Sequence, residues 1–296
     1  MNCVERITEY GRLQAEGPLK CANDPSRAWP YSGRVAFEGV RLRYGESPSW
    51  ALDGASFEAR PGEKVGVVGR TGAGKSSLVS ALLAAHPLAE GAVFVDGVCV
   101  SVLGLETVCD SIFKADFQLR GNVALIPQDS VMFTGTIRDN LDPGREKMDA
   151  DLWSSLQRVG LFSTGTKESP RKEKYNLDAA VEQGGANFSS GERQLISLAR
   201  AFVKGSRLVI MDEATSAVDH SADALIRTVI QSELAHTTLL CIAHRIETIL
   251  YFDQVVVMER GKVVESGSPL DLFDSLGSEF YAQCRSAVGR CHVLPG

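Results

Sequence analysis

No stretch of this 296-residue chain approaches the roughly 18 apolar residues that a membrane-crossing helix needs, and Met1-Asn2-Cys3-Val4-Glu5-Arg6 lacks the uninterrupted apolar core of a secretion signal. The chain by itself is therefore expected to be soluble. The seven cysteines, Cys3, Cys21, Cys99, Cys109, Cys241, Cys284 and Cys291, are odd in number and include no C-x-x-C pair. That argues against a zinc or redox motif and for reduced thiols of a cytosolic compartment. Basic excess is missing too: 31 Lys and Arg stand against 37 Asp and Glu, a formal charge of -6, so nucleic acid is not expected as the main partner. There is no internal repeat and no low-complexity run. What remains is ordinary globular composition, 44% apolar and 23% charged, enough for one sizeable core with a lobe or appendage.

Residues 1–32 open on a short polar helical pattern, Val4-Glu5-Arg6-Ile7-Thr8-Glu9-Tyr10, and then run through Gly17-Pro18, Asp24-Pro25 and Trp29-Pro30. These breakers mark the segment as a linker. From Val35 the pattern turns strand-like, with Val35, Phe37, Val40, Leu42 and Tyr44 among polar residues, and Lys64-Val65-Gly66-Val67-Val68 reads as a short buried strand. A helix is expected over residues 77–85, buried strands over 207–211 and 237–242, and a helix between them over about 222–234. Strands alternating with helices imply a parallel sheet. A hairpin of 255–258 and 262–265 around Arg260-Gly261, with the antiparallel-looking strand at 35–44, adds mixed-sheet character.

The chemistry is concentrated in a few places. Gly69-Arg70-Thr71-Gly72-Ala73-Gly74-Lys75-Ser76 fits G-x-x-x-x-G-K-S between a strand and a helix. In that setting backbone N–H groups and the helix N-terminus face polyphosphate oxygens, Lys75 reaches the β- and γ-phosphates and Ser76 ligates magnesium. Alone, this implies a nucleoside triphosphate and leaves open what its energy drives. Downstream, Leu208-Val209-Ile210-Met211 ends in Asp212-Glu213, two carboxylates at the carboxyl end of a buried strand, where open sheets bind ligands. Asp212 is the candidate magnesium ligand and Glu213 the candidate for polarising the attacking water.

Phe188-Ser189-Ser190-Gly191-Glu192-Arg193-Gln194 precedes the helical run Leu195-Ile196-Ser197-Leu198-Ala199-Arg200-Ala201. Ser189 with Glu192 is an ordinary capping box that can start a helix and do nothing else. Capping does not predict Ser190-Gly191 lying shortly before the Asp212-Glu213 strand, and the whole run resembles the signature motif of the ABC ATPases. The resemblance gives other pieces a role. Gln128, in Ile126-Pro127-Gln128-Asp129, is similar to the Q-loop glutamine that touches magnesium and water and couples to a transport domain. Ser216-Ala217-Val218-Asp219 resembles the D-loop, and His244, in Ile242-Ala243-His244-Arg245, the switch histidine at the γ-phosphate. Tyr44 stands where the family places an aromatic against adenine; a core tyrosine at a strand end is the other reading.

The resemblance covers roughly residues 33–285 and is nearest to the C subfamily, the multidrug-resistance-associated exporters, and within it to the second nucleotide-binding domain. Three stretches carry this: Pro61 through Ser76 to Ser77, Ile126 through Thr134 to Arg138, and Asn140-Leu141-Asp142-Pro143. It implies an α/β P-loop ATPase with a RecA-like parallel-sheet core, an antiparallel β subdomain and an α-helical signature subdomain over about 130–204. Residues 1–32 then link to a preceding membrane domain and 286–296 form a tail. ATP and Mg2+ are the implied cofactors. The implied partners are the first nucleotide-binding domain and the transmembrane domains of the same transporter, at the cytoplasmic face of a membrane, with no membrane insertion by this chain. A regulatory nucleotide-binding module of a channel-modulating ABC protein is the alternative.

Two departures stand out. The family's usual signature is Leu-Ser-Gly-Gly-Gln, and here Phe188, Ser190 and Glu192 occupy the first, third and fifth places. Ser190 adds a side chain where a partner's γ-phosphate must approach closely, which weakens that half-site. The run from about Glu106 to Gln118 is longer than the family's spacing, a short packed helix or a surface insertion.

Overall fold

A computed structural model of the chain describes residues 29–45, 47–103, 123–128, 130–162, 174–212, 220–243, 246–275 and 277–288, with positions 6, 8, 11, 21, 24 and 25. The run at 106–118 lies outside the described residues.

Alternating buried and exposed residues give two antiparallel strands, β1 (Val35–Leu42) and β2 (Leu52–Ala59). Strand β3 (Lys64–Gly69) is instead a run of valines buried at every position between its ends, the pattern of a strand covered on both faces. Its Gly66 is forced by packing, since a Cβ there would meet Ile249 Cγ2 at 2.6 Å. Helix α1 (Lys75–Leu82) follows, and β4 (Glu90–Val95) and β5 (Val98–Cys99) return to β1, completing a four-stranded antiparallel sheet of order β2-β1-β4-β5.

β6 (Val123–Ile126) precedes a helical region: a two-residue strand β7 (Gly135–Thr136), α2 (Ile137–Leu141), α3 (Asp149–Arg158), β8 (Ala180–Val181) paired with β7, and α4 (Ser190–Lys204). The apolar face of α4, with Leu195, Ile196, Leu198 and Ala199 buried, packs on α3, β6 and α2. The chain then lays down β9 (Leu208–Asp212), α5 (His220–Glu233), β10 (Thr238–Ile242), α6 (Ile246–Ile249), β11 (Gln254–Glu259) and β12 (Lys262–Gly267). It ends with α7 (Pro269–Asp274) and α8 (Glu279–Val288). The six-stranded sheet has the order β12-β11-β3-β10-β9-β6, parallel throughout except for the β11/β12 hairpin.

The last residues of the segment 1–32, residues 29–32, are held against the antiparallel sheet. Trp29 is fully buried and its Nε1 donates to Val95 O at 3.0 Å. The backbone N–H groups of Tyr31, Ser32 and Arg34 all donate to the Asp96 carboxylate. The Pro30 breaker ends regular structure there, but the indole alone buries enough apolar area to fasten the segment to the β sheet. No described helix is long and apolar enough to cross a membrane, and the four described cysteines, Cys21, Cys99, Cys241 and Cys284, are unpaired.

Candidate functional site

Parallel pairing sets the geometry. The registers Ile242 to Val67, Ile242 to Asp212 and Met211 to Ile126 bring the carboxyl ends of β3, β10, β9 and β6 side by side. The loop after Gly69, Asp212 at the end of β9 and Gln128 just beyond β6 therefore share one edge of the sheet. The chain leaves this edge at Asp212 towards Glu213 and Asp219, and at Ala243 towards His244. Those three expected site residues lie outside the described residues.

The loop of residues 69–74 turns tightly, Ala73 N donating to Arg70 O at 3.0 Å, and close approach of other segments requires its glycines. Gly74 is the N-cap of α1 at φ 104°, and a Cβ there would come 2.5 Å from Ala51 O; Gly69, at φ 152°, would meet Met258 O at 2.4 Å. Helix α1 has no side-chain cap and no acidic residue in its first turn, whereas every other described α-helix has one there. A helix leaves its first N–H groups without intrahelical partners, and its dipole favours an anion at that end. Here the sequence withholds the usual internal anion, which is what an external phosphate requires. Lys75, 6% exposed, folds back over the loop and donates from Nζ to Gly69 O (2.8 Å) and Arg70 O (3.2 Å). Ser76 stands exposed beside it in the first turn. Its hydroxyl and the Asp212 carboxylate are hard oxygen donors, which suit magnesium.

Two residues outside the expected set brace the loop. Gly261 N donates to Ala73 O (2.8 Å), and Gly261 O accepts from Asp53 N (2.8 Å), tying the loop through the β11/β12 turn to β2. Lys262 and Arg41, each 3.1 Å from the Asp53 carboxylate, hold that carboxyl below the usual carboxylate range. The only trace of this in the sequence is the Arg260-Gly261 turn, because the contact joins segments some two hundred residues apart.

Tyr44 is 41% exposed, so it is not the core tyrosine of the other reading. Its hydroxyl donates to Ser77 Oγ (3.2 Å) and its ring meets His86 edge-on at 4.8 Å, which holds it beside α1. His86 carried no sequence signal. On β10, Cys241 pairs in register with Met211, the residue before Asp212, and burial together with the Asp212 charge pushes its thiol up to about 12. That thiol stays protonated and is no candidate nucleophile.

The signature residues are elsewhere. Ser189 is the N-cap of α4 in a complete capping box with Glu192; Ser190 and Gly191 form its first turn, and α4 makes no extensive contact with α1. The Glu192 carboxylate is turned inward onto Ser189 N (2.7 Å), Lys174 Nζ (2.8 and 2.9 Å) and Tyr175 Oη. Burial opposes its charge, yet these donors keep its carboxyl below the usual range. The structure thus gathers residues 69–77, Tyr44, Asp212 and Gln128 on one face and leaves Ser189, Ser190, Gly191 and Glu192 apart.

Lys75→Ala is expected to weaken ATP affinity about 100-fold, or roughly 2.7 kcal/mol, the size of one charge-assisted contact. Titration of the full chain with a fluorescent ATP analogue checks this, and an unchanged affinity removes Lys75 from the site.

A phosphate-cradling loop at the carboxyl edge of a parallel sheet, with an antiparallel sheet on one side and a helical layer on the other, defines a P-loop ATPase of the ABC type. The ABC transporter family model matches residues 52–216, more than half of the sequence, and the chain belongs to that family. The ABC-type transporter cicA of Emericella nidulans is 39% identical over 307 residues, covering 99% of this chain and 21% of its own length. The oligomycin resistance ATP-dependent permease YOR1 of Saccharomyces cerevisiae is 40% identical, with 97% of this chain and 20% of its own length covered. Human ATP-binding cassette sub-family C member 2 is 38% identical, at 96% and 17%. The chain thus spans about a fifth of the length of these relatives. Among solved structures, a bacterial Atm1-family ABC exporter with ATP bound superposes with a TM-score of 0.80 and 26% identity, over 96% of this chain and 47% of that one.

Proposed function

We propose that this chain is the second nucleotide-binding domain of a C-subfamily exporter, residues 33–285 forming the domain, 1–32 leading from a preceding membrane domain and 286–296 a tail. ATP binds with adenine beside Tyr44 and phosphates on residues 69–77, and is closed in by the signature of a partner domain. The observation that carries this is the uncapped, acid-free N-terminus of α1 on the same sheet edge as Asp212. Magnesium, held by Ser76, Asp212 and Gln128, supplies neutralisation of phosphate charge. Glu213 takes the proton of the attacking water, His244 donates to the developing γ-phosphate charge, and Asp219 lies at the contact with the partner.

The partner is the first nucleotide-binding domain of the same transporter, whose ATP is closed in by Ser189, Ser190 and Gly191. Contact with the transmembrane domains is supported by a cavity of about 300 Å3 beside Gln128, lined by Pro127, Leu125, Val131, Phe133, Arg200 and Lys204. Three of its apolar side chains, Leu125, Val131 and Phe133, are 45–60% exposed, an unusual density of surface hydrophobes. In this reading the chain works at the cytoplasmic face of a membrane.

The test is made on the full chain. It is expected to bind ATP with magnesium and to hydrolyse it feebly, because half of each active site is supplied by another domain. Vigorous hydrolysis by a demonstrated monomer contradicts the reading. The alternative of a regulatory module is favoured by one observation, the Ser190 side chain at the head of α4; nucleotide-dependent substrate flux in the transporter carrying this chain separates the two.

A further inference from the structure

We infer that Lys174 is the positioning residue that makes the altered signature of this chain serviceable, holding Phe188 and Glu192 in one arrangement and cancelling the negative charge Glu192 brings to the head of α4. This rests on the sandwich reading above. Two of the three departures from the Leu-Ser-Gly-Gly-Gln pattern meet at this one side chain. The Lys174 ammonium lies 2.8 and 2.9 Å from the two oxygens of Glu192, at the fifth place, and 5.3 Å from the ring centroid of Phe188, at the first. It also stands 5.7 Å from the ring centroid of Tyr175, whose hydroxyl donates to the same carboxylate.

The electrostatics explain why such a cation is needed. Glu192 is the third residue of α4 and accepts from Ser189 N in the capping box, an arrangement that steadies the helix. A carboxylate at that position, however, opposes the positive end of the helix dipole, which is the feature that attracts a phosphate. A neutral glutamine keeps the helix end positive without assistance. With glutamate, the charge must be cancelled nearby, and the side chain of Glu192 is only 22% exposed, so solvent screens it poorly. Lys174 neutralises it with a bidentate contact on the side of Glu192 that faces Tyr175 and Phe188, while Ser189 stays exposed and Ser190 half-buried at the head of α4. The aromatic at Phe188 fits the same logic: its ring face offers the ammonium a second attractive contact that a leucine lacks.

The test uses the full chain with Glu213→Gln to slow hydrolysis, because each copy carries both a phosphate loop and a signature and two copies can close two composite sites. ATP–magnesium-driven self-association is measured by sedimentation, ATP binding by titration, and the melting temperature without nucleotide in parallel. Lys174→Met is expected to weaken association about tenfold, about 1.4 kcal/mol. Adding Glu192→Gln to it is expected to restore association to within a few-fold, since the charge to be cancelled is then gone. Unchanged association in Lys174→Met overturns the inference, as does a loss that Glu192→Gln fails to restore, which would mark Lys174 as a support of the fold. Association absent from every variant overturns the inference together with the sandwich, and the ATP titrations on the same samples show whether nucleotide binding stands without it.

Discussion

Glu213→Gln is expected to cut steady-state ATP hydrolysis by the transporter carrying this chain about 100- to 10,000-fold while leaving nucleotide affinity within a few-fold. Glutamine keeps the shape of the side chain and can still accept a hydrogen bond from water, but it cannot take the proton. The loss corresponds to roughly 3–5 kcal/mol of barrier, the usual contribution of a general base. The surroundings favour a loss of that size. β9 and β10 are buried through almost their whole length, and the Asp212 charge is felt at the Cys241 thiol on the next strand. Charge at this edge is thus weakly screened, and bulk water is a poor substitute for a missing proton acceptor. Full activity retained in the glutamine variant would remove Glu213 from the chemistry. Reduced hydrolysis accompanied by an equal loss of ATP affinity would instead assign it to binding.

What could be read in the sequence was what is local. The valine run of β3, the glycines that follow and the helix opening at Lys75 lie within twenty residues, and each rule acting there points to the same structure. The hairpin turned by Arg260-Gly261, and the buried strands that became β9 and β10, were legible for the same reason. Harder to see were contacts between distant segments. Gly74 reads as a motif glycine, but what excludes a side chain there is Ala51 O, just before β2. Nothing in Asp53 or Gly261 taken singly says that they brace the phosphate loop. Glu192 reads as a capping residue, which it is, while its ion pair with Lys174 joins residues 18 apart across a loop. Composition was also silent at one point: the breakers around Trp29-Pro30 gave no sign that the indole is fully buried.

That indole carries the other large expected effect. Trp29→Ala is expected to destabilise the chain by about 3–5 kcal/mol, as for other fully buried tryptophans cut to alanine. The cost has two sources: the cavity left among Val35, Phe37, Val95 and their neighbours in the same core, and the loss of the donor to Val95 O. Just past Val95, Asp96 turns the chain at φ 50° and collects N–H groups from Tyr31, Ser32 and Arg34, so the strap is held by an apolar plug and a polar clasp in adjacent residues. Asp96→Asn keeps the plug and weakens only the clasp, and a smaller loss, about 1–2 kcal/mol, is expected. Urea unfolding of the full chain measures both. The consequence reaches the site, because the antiparallel sheet against which Trp29 packs includes β1, which leads into Tyr44, and β2, which supplies Asp53 and is preceded by Ala51, whose carbonyl lies against Gly74. ATP affinity in Trp29→Ala should therefore fall at temperatures where the fold is still intact. A stability loss under about 1 kcal/mol would show that the buried indole does not fasten residues 29–32 to the β sheet.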